Sequence, residues 1–381
     1  MLHGFNTIRD AFQDTVKLFP DKTAIIYQDE RHTYAEVDKY ADTIAAYFYQ
    51  KGLRAKDRVI LFLPHMPEWL NIWLAMQRIG VAVIPVTHFY GSTEILYIGK
   101  DSGAKIIFCG EKNFDEVVKA SEEYSFDTII VVGDNYNAEA AQKVTAKGTE
   151  LIKYSDVLSA TSPPLPGDIK IEPTDLAEIL YTGGTTGFPK GVPLSNTLLL
   201  TAMRNKRTEF NPILPYGTGV AIQGAPLFHI LGKELGVSSF LSGDALILLA
   251  KMDVEDIFKH IEDFKVTTFF GTPTLLRMML DHEKINDYSF DSIVYVFTAG
   301  EALPLEVNNR WVARVKKPIY QGYGCTETCG IISGTPVGVD FPPGTIGKIT
   351  PTKQAMLYNP DTEEPAKPGE TGELYISSEN I

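Results

Sequence analysis

The stretch RVILFLPHMPEWLNIWLAMQRIGVAVIPV, residues 58–86, decides the fold. Residues 58–63 and 81–86 are short apolar runs of the kind that forms buried strands, and residues 68–78 between them carry the signals of a helix. A strand, a helix and another strand of these lengths predict a βαβ unit, whose two strands lie parallel in one sheet.

The same alternation runs through most of the chain. Residues 33–50 predict an amphipathic helix, because apolar residues recur there at three- and four-residue steps and Thr33 with Glu36 can form a capping box. Helix and strand signals alternate as far as residue 132 and again between residues 176 and 315. We therefore expect an α/β fold with mostly parallel sheets flanked by helices, in αβαβα layers.

Shifts in composition divide the chain into three predicted parts. The proline-rich stretch at residues 162–174 interrupts the alternation and predicts a boundary between a first α/β subdomain, residues 1–165, and a second, residues 166–340. After residue 340, short strand-like pieces are separated by Pro, Gly and Asp. These pieces predict the start of a small β subdomain, resembling a barrel, over residues 341–381.

Composition narrows the class of protein. The chain has 381 residues, 44% of them hydrophobic, with a net charge of −13 and three cysteines. The acidity and the lack of a basic stripe argue against a nucleic-acid partner, and three cysteines are too few for a disulfide framework. No apolar run approaches the ~18 residues of a membrane helix, and the first residues lack the pattern of a secretory signal. We expect a cytoplasmic protein.

A glycine-rich loop, YTGGTTGFPKG at residues 181–191, follows a predicted strand. A Walker A loop is excluded, since that motif requires Ser or Thr after Gly-Lys, whereas here Pro189 precedes Lys190 and Gly191 follows it. A structural turn without a ligand stays open. A different phosphate-binding loop is favoured, because glycines let backbone N–H groups approach an anion, threonine hydroxyls donate, and Lys190 adds a positive charge.

This loop resembles the signature loop of the adenylate-forming enzymes, which include acyl-CoA synthetases, aryl-CoA ligases, luciferases and amino-acid adenylation domains. Gly183 departs mildly from the family pattern, in which serine is commoner at that place. Other segments resemble conserved blocks of the family, in the family's order: RHTYAEVDKYADTIAAYF (31–48), AMQRIGVAVIPV (75–86), APLFHILG (225–232), VTTFFGTPTLLRMML (266–280), FTAGEALPLEV (297–307), QGYGCTET (321–328) and PGETGELYIS (368–377). The resemblance covers essentially the whole chain.

The resemblance implies a reaction in two steps. A carboxylate attacks the α-phosphate of ATP and expels pyrophosphate, and the thiol of CoA then attacks the acyl-adenylate. The implied cofactors and co-substrates are ATP, Mg²⁺ and CoA, and the implied substrate is a small carboxylic acid. Because an anion must attack an anion, catalysis of this kind depends on positioning and on electrostatic stabilisation.

The resemblance also implies roles for individual residues. Residues expected to surround the β- and γ-phosphates are Thr182, Gly183, Gly184, Thr185, Thr186 and Lys190. Residues expected to form the adenine pocket are Gly300, Glu301, Ala302, Gln321, Gly322, Tyr323 and Gly324. In the same loop, Thr326 is expected to donate to the α-phosphate and Glu327 to bind Mg²⁺, while Cys325 occupies a variable position.

His229, in the segment PLFHI, is a further candidate for the catalytic set with Lys190, Thr326 and Glu327. A single histidine beside apolar residues is more often a core residue than a catalytic one. In CoA ligases, however, a histidine at this place lines the path of the acyl carboxylate. Amino-acid adenylation domains usually carry an aspartate in the comparable segment, so His229 argues against an amino-acid substrate.

The chain stops soon after Gly372, where the resemblance implies further parts. Family members continue with an aspartate that binds the ribose and with a small C-terminal domain carrying the lysine that promotes adenylation. We therefore expect an N-terminal fragment that needs this domain in cis and has impaired activity alone.

The substrate and the assembly stay open at this point. The leading interpretation is a CoA ligase for a medium- or long-chain fatty acid. The alternatives are an aryl-CoA ligase and a non-catalytic nucleotide-binding module. A homodimer is compatible with the sequence.

Overall fold

The computed structural model describes residues 4–183, 187–205, 214–339, 341–342 and 344–378. Its α-helices are α1 Ile8–Leu18, α2 Tyr34–Gln50, α3 Pro67–Arg78, α4 Ser92–Ser102, α5 Phe114–Ala120, α6 Ala138–Ala146, α7 Tyr154–Ser159, α8 Asn196–Asn205, α9 Ile230–Gly232, α10 Ser238–Leu241, α11 Val254–Asp263, α12 Pro273–Asp281 and α13 Leu305–Val315. A π-helical turn, Lys233–Val237, joins α9 to α10. Short 3₁₀ turns lie at Glu111–Asn113 and Glu283–Asp287.

The strands form three sheets. The strands are β1 Thr23–Tyr27, β2 Glu30–Thr33, β3 Arg58–Phe62, β4 Ala82–Pro85, β5 Ile106–Gly110, β6 Thr128–Val132, β7 Glu150–Lys153, β8 Leu176–Thr182, β9 Lys190–Ser195, β10 Val220–Gln223, β11 Ala245–Ile247, β12 Thr268–Gly271, β13 Tyr295–Thr298, β14 Ile319–Cys325, β15 Gly330–Gly334, β16 Lys348–Ile349, β17 Gln354–Asn359, β18 Glu364–Pro365 and β19 Glu373–Ser377.

The first sheet has the strand order β7-β6-β5-β3-β4-β8-β9, and its strands are parallel except for β9, which is antiparallel to β8. The second sheet has the order β16-β15-β14-β13-β12-β10-β11-β1-β2. Its central strands, from β1 to β14, are parallel, whereas β2, β15 and β16 pair antiparallel at its ends. The third sheet, β18-β17-β19, is antiparallel.

Buried side chains fall into three clusters that follow the layers. The largest cluster lies between the two large sheets and includes residues of both, such as Val59 and Leu246, together with side chains of α1, α2, α3 and α8. A second cluster packs α11, α12 and α13 on the second sheet. A third packs α4, α5 and α6 on the first sheet. The order helix, sheet, helix, sheet, helix confirms the predicted αβαβα layers.

The βαβ unit at residues 58–86 is confirmed. β3 and β4 pair in parallel, with Ile60 opposite Ile84, and α3 connects them. Helix α2 also begins as predicted, because the Glu36 carboxylate accepts from the Thr33 backbone N–H at 2.7 Å and the Thr33 hydroxyl accepts from the Glu36 N–H at 3.2 Å.

The sheets differ in two respects from the succession of subdomains that the sequence predicts. β1 and β2, which belong to the first predicted subdomain, complete the second sheet, while β8 and β9 follow the proline-rich stretch and complete the first sheet. After residue 340, β16 extends the second sheet, and the other described strands, β17, β18 and β19, form an open antiparallel sheet; the described residues form no closed barrel. Within the described ranges, no helix is both long and apolar enough to cross a membrane.

Candidate functional site

The glycine-rich loop connects two antiparallel strands. Thr182, the last residue of β8, lies opposite Lys190, the first residue of β9. Gly183 and Lys190 are exposed. The predicted phosphate-binding residues Gly184, Thr185 and Thr186 lie outside the described residues. Gly183 and Lys190 thus lie exposed at the end of the β8–β9 hairpin, where they can face a ligand.

The second motif, QGYGCTET, occupies β14 and the turn that leads into β15. Its glycines are required by close packing within the protein. A Cβ on Gly322 would lie 2.4 Å from the Phe297 ring, and a Cβ on Gly324 would lie 2.2 Å from the Gly330 carbonyl oxygen. Glycine at these two places therefore lets β14 approach its neighbours, whatever the turn binds.

The two motifs meet at their ends. The Thr182 hydroxyl lies 3.4 Å from Glu327 Oε1, although the two residues are 145 positions apart in the chain. Thr182 ends β8 in the first sheet, whereas Glu327 lies in the turn after β14 in the second. The structure thus brings together the two segments predicted to hold the triphosphate and the metal.

The residues of β14 and of the turn after it differ in their exposure to solvent. Glu327 is exposed, and Tyr323 is 43% exposed, so both are accessible to a ligand. Thr326 is buried, and its carbonyl oxygen accepts from the Cys329 N–H at 2.9 Å. Gln321 is also buried, and its N–H donates to the Thr335 hydroxyl at 2.8 Å.

A cavity of about 230 Å³ lies between α13 and the first residues of β14. Its lining includes Leu303, Gln321 and Thr335. Gln321 is thus one of the residues that line this cavity.

Residues 300–302 follow β13, next to β14 in the second sheet. Gly300 has φ +91°, a left-handed conformation that favours glycine. The Glu301 carboxylate accepts from the Thr274 N–H at 2.8 Å, at the start of α12, and hydrogen bonding to the side chain and the backbone of Thr274 lowers the pKa of Glu301. The carboxylate therefore holds α12, while Gly300 and Ala302 are exposed and leave their backbone accessible.

His229 precedes α9 and caps it. Its Nδ1 accepts from the Leu231 N–H at 3.1 Å, which leaves the proton of the neutral ring on Nε2. His229 is exposed at the surface, but the neighbouring protein partly desolvates the ring and lowers the pKa of His229, so the neutral form prevails at neutral pH. The ring can therefore donate from Nε2 to an oxygen of a substrate.

His65 is a residue that the sequence interpretation missed. It lies just after β3, and its Nε2 accepts from the Leu227 N–H at 3.0 Å, two residues before His229. Burial, with a smaller effect of His88, lowers the pKa of His65 to about 4. Its position after the carboxyl end of a parallel strand, where sites form in sheets of this kind, was a signal that could have found it.

A buried ion pair was missed as well. Lys233, in the π-helical turn, and Glu178, in β8, form an ion pair with no exposed side-chain surface. The indole N–H of Trp73 donates to Glu178, and the Lys233 ammonium lies 4.3 Å from the centroid of the Trp69 ring. A charged residue inside each of two apolar segments was the signal available from the sequence.

The donors present near Glu327 fit a magnesium ion that is also bound by phosphate. The described residues hold no cluster of three or more His, Cys, Asp or Glu side chains that could bind a metal. The neighbouring Glu327 carboxylate and Thr182 hydroxyl are both oxygen donors. Mg²⁺ typically takes one or two protein oxygens and completes its shell with phosphate and water, so this pair suits it.

Comparisons with known proteins agree with this geometry. The family described as AMP-binding enzyme matches residues 12–381. A long-chain-fatty-acid–CoA ligase of Escherichia coli O6:H1 is 27% identical over 99% of this chain and 70% of its own length. The corresponding ligase of Bacillus subtilis strain 168 is 27% identical over 98% of this chain and 70% of its own length.

Among solved structures, the anthranilate CoA ligase AuaEII in complex with anthranoyl-AMP superimposes with a TM-score of 0.87 at 21% identity, over 98% of this chain and 70% of that one. This likeness shows that the fold is shared. Because the family match extends from residue 12 to residue 381, the protein belongs to the AMP-binding enzyme family, and we identify it as an adenylate-forming ligase.

Proposed function

We propose that the protein activates an aliphatic carboxylic acid, a medium- or long-chain fatty acid, as its adenylate and transfers the acyl group to CoA. The observation that carries the proposal is the meeting of the two loops at Thr182 and Glu327. The names of the relatives, long-chain-fatty-acid–CoA ligases at 27% identity, support this substrate class.

In the first step, an oxygen of the carboxylate attacks the α-phosphorus of ATP, the bond from that phosphorus to the bridging oxygen breaks, and pyrophosphate leaves. Lys190 and the backbone N–H groups of the loop would stabilise the charge of the departing phosphates, and Thr326 would donate to the α-phosphate. Mg²⁺, held through Glu327 and phosphate oxygens, would neutralise part of the phosphate charge.

His229 would orient the carboxylate of the substrate. A neutral ring carries no charge, so we assign it a hydrogen bond from Nε2 to a carboxylate oxygen rather than an ion pair. This assignment follows from the hydrogen bond at Nδ1 and from the lowered pKa. His65 would fix the position of the backbone that precedes His229, because its Nε2 accepts from the Leu227 N–H.

In the second step, the sulfur of CoA attacks the acyl carbon, the bond to the AMP oxygen breaks, and the thiol loses its proton. The mixed anhydride formed in the first step makes this attack feasible, since AMP is a good leaving group. The roles proposed for Lys190, Thr326, Glu327 and His229 all belong to the first step, in which the acid reacts with ATP.

An aryl acid is the second candidate substrate. The segment PLFHI is equally typical of aryl-CoA ligases, and AuaEII was solved with an aryl adenylate. A panel of acids therefore has to include benzoate and anthranilate beside aliphatic acids.

Binding and catalysis can be tested separately. Calorimetry with acyl-sulfamoyl adenosines, which imitate the acyl-adenylate and do not react, tests the site without turnover. Pyrophosphate exchange with octanoate, palmitate, benzoate and anthranilate tests the first step, and it is measured on the chain joined in cis to the C-terminal domain that the family resemblance implies. We expect the octanoyl or palmitoyl analogue to bind more tightly than the benzoyl analogue, and the exchange rates to follow the same order.

Tighter binding of the benzoyl analogue would show that the substrate is an aryl acid. If no analogue binds, the proposed ligase function is wrong. Binding of ATP without exchange on any acid would favour a nucleotide-binding module. Lys190→Ala is the matched variant, because it removes the cation of the loop and leaves the sheets intact.

A further inference from the structure

Helix α4 contacts the phosphate loop at both of its ends. At the end of β8, the Tyr181 hydroxyl donates to Asp101 Oδ2 at 2.6 Å. At the other end, the Phe188 ring stacks on Tyr97, with 4.6 Å between the ring centroids and 11° between the planes. Neither contact involves a residue expected to touch ATP.

The two contacts come from one face of the helix. Tyr97 and Asp101 are four positions apart, so their side chains lie one above the other on α4. Tyr181 precedes Thr182 and Phe188 lies two residues before Lys190, so the two rings lie on either side of the pair Thr182–Lys190 that closes the hairpin. A single helical turn thus faces both ends of the loop.

Helix α4 is itself anchored at both ends. At its start, the Glu94 carboxylate accepts from the Gly91 N–H at 3.0 Å, and Glu116, on α5, accepts from the Ser92 N–H at 2.9 Å. At its end, Gly103 has φ +70° and closes the last turn. The contacts to the loop are therefore made from a fixed element.

The local chemistry favours both contacts. Burial and the neighbouring Asp101 carboxylate raise the pKa of Tyr181, so its hydroxyl stays protonated and donates. Gly191 leaves space for that ring, since a Cβ there would lie 3.2 Å from Tyr181 Cζ. Phe188 is 56% exposed. Its stacking on Tyr97 therefore fixes the position of a ring that has few other neighbours to hold it.

We propose that α4 positions Thr182 and Lys190, at the two ends of the phosphate loop, for ATP, with Tyr97 and Asp101 as positioning residues. The proposal rests on the proposed function. Side chains that become ordered only when a ligand binds cost affinity. Holding both ends of the loop lowers that cost. ATP affinity therefore depends on α4, whereas affinity for the carboxylic acid does not.

The experiment compares Tyr97→Ala, Tyr97→Phe, Phe188→Ala and the double variant Tyr97→Ala/Phe188→Ala. Calorimetry gives the Kd for ATP, and pyrophosphate exchange gives the KM values for ATP and for the acid. We expect each single alanine variant to raise the Kd and KM for ATP by roughly threefold to tenfold, as the loss of one aromatic pair implies. The KM for the acid stays within twofold.

Two variants separate positioning from a general structural effect. Tyr97→Phe keeps the ring and should restore the KM for ATP, and the double variant should be no worse than either single one. Lys100→Ala, an exposed residue of the same helix, is the matched control. For the other contact, Tyr181→Phe removes the donor alone and Asp101→Ala removes the acceptor, and each should raise the KM for ATP.

The proposal is overturned if Tyr97→Ala and Phe188→Ala keep the wild-type affinity for ATP, or if their effects simply add. It is also overturned if Lys100→Ala has the same effect as Tyr97→Ala. Failure of the wild-type chain to bind ATP would instead reject the proposed function, and the inference would fall with it. Phe188 is largely exposed, so its variant tests the proposal even if Tyr97→Ala does not fold.

Discussion

Lys233 and Glu178 form a fully buried ion pair that joins the helical segment after His229 to strand β8. Glu178 lies four residues before Thr182, and Lys233 lies four residues after His229. The pair therefore links β8, which leads into the proposed phosphate loop, to the segment that follows the candidate carboxylate-binding residue, in the layer between the two large sheets.

Removing one partner of this pair should strongly destabilise the fold. Lys233→Met leaves the Glu178 carboxylate buried without its cation, and we expect a loss of about 3–5 kcal/mol in the free energy of unfolding at pH 7. The double variant Lys233→Met/Glu178→Leu removes both charges and should lose much less. Urea unfolding of the three proteins measures this, and a double variant less stable than Lys233→Met would contradict it.

The destabilisation caused by Lys233→Met should depend on pH. Burial raises the pKa of Glu178, and loss of Lys233 removes the charge that opposes this shift. A carboxyl whose pKa is raised in the folded state stabilises that state at low pH and loses this contribution as pH rises through the folded pKa. The destabilisation of Lys233→Met should therefore be smaller at pH 5 than at pH 8, in the same urea assay.

His65 should contribute stability with the opposite dependence on pH. Its pKa of about 4 lies below the value of about 6.5 expected in the unfolded chain. Between these values the unfolded chain binds the proton and the folded chain does not, so this contribution is lost as pH falls from 6.5 towards 4. The expected loss is roughly 2–3 kcal/mol.

The matched variant for that effect is His65→Gln, which keeps an acceptor for the Leu227 N–H and cannot titrate. Unfolding free energies at pH 7.5, 5.5 and 4.5 should show the wild type losing stability faster than the variant. If the unfolding free energies of the two proteins change with pH in parallel, the titration of His65 does not contribute to the stability of the fold.

Lys190→Ala should slow formation of the acyl-adenylate by about 100-fold or more, because one fixed positive charge beside the phosphates is lost. Pyrophosphate exchange with the preferred acid measures the rate. Lys170→Ala, an exposed lysine of the proline-rich region, is the control. A wild-type rate in Lys190→Ala would remove this residue from the proposed mechanism.

Glu327→Gln should raise the Mg²⁺ concentration needed for half-maximal exchange by about tenfold, because a neutral amide oxygen binds Mg²⁺ more weakly than a carboxylate. Titration of Mg²⁺ at fixed ATP gives this value. Thr182→Val removes the neighbouring hydroxyl and should have a smaller effect. An unchanged titration for Glu327→Gln would place the metal elsewhere.

Gly322→Ala should destabilise the protein by about 1–3 kcal/mol, because its Cβ would overlap the Phe297 ring at 2.4 Å. Gly183→Ala is the control for stability, since no atom lies within 4 Å of a Cβ there. Thermal unfolding compares them, and an equal melting temperature for both variants would show that Phe297 can move aside.

Local patterns predicted the elements and singled out the two motifs that meet at Thr182 and Glu327, because periodicity, caps and glycine-rich loops are properties of neighbouring residues. The capping box at Thr33 and the strands of residues 58–86 are examples. Partners distant in the chain could not be predicted in this way. The pairing of β1 with β11, the ion pair of Lys233 with Glu178, and the bond from Leu227 to His65 depend on how the sheets come together.

The exchange of strands between the two large sheets has a consequence for biosynthesis. During translation, β1 emerges first, yet the strand beside it in the second sheet, β11, is made more than two hundred residues later, with Ile25 paired to Leu246. Until then β1 has only β2 as a neighbour, and its other edge is open to pairing with a wrong strand or another chain. The first 165 residues would also leave β4 without β8. The nascent chain therefore depends on late contacts to close its earliest strands, and slow elongation would prolong its exposure to aggregation.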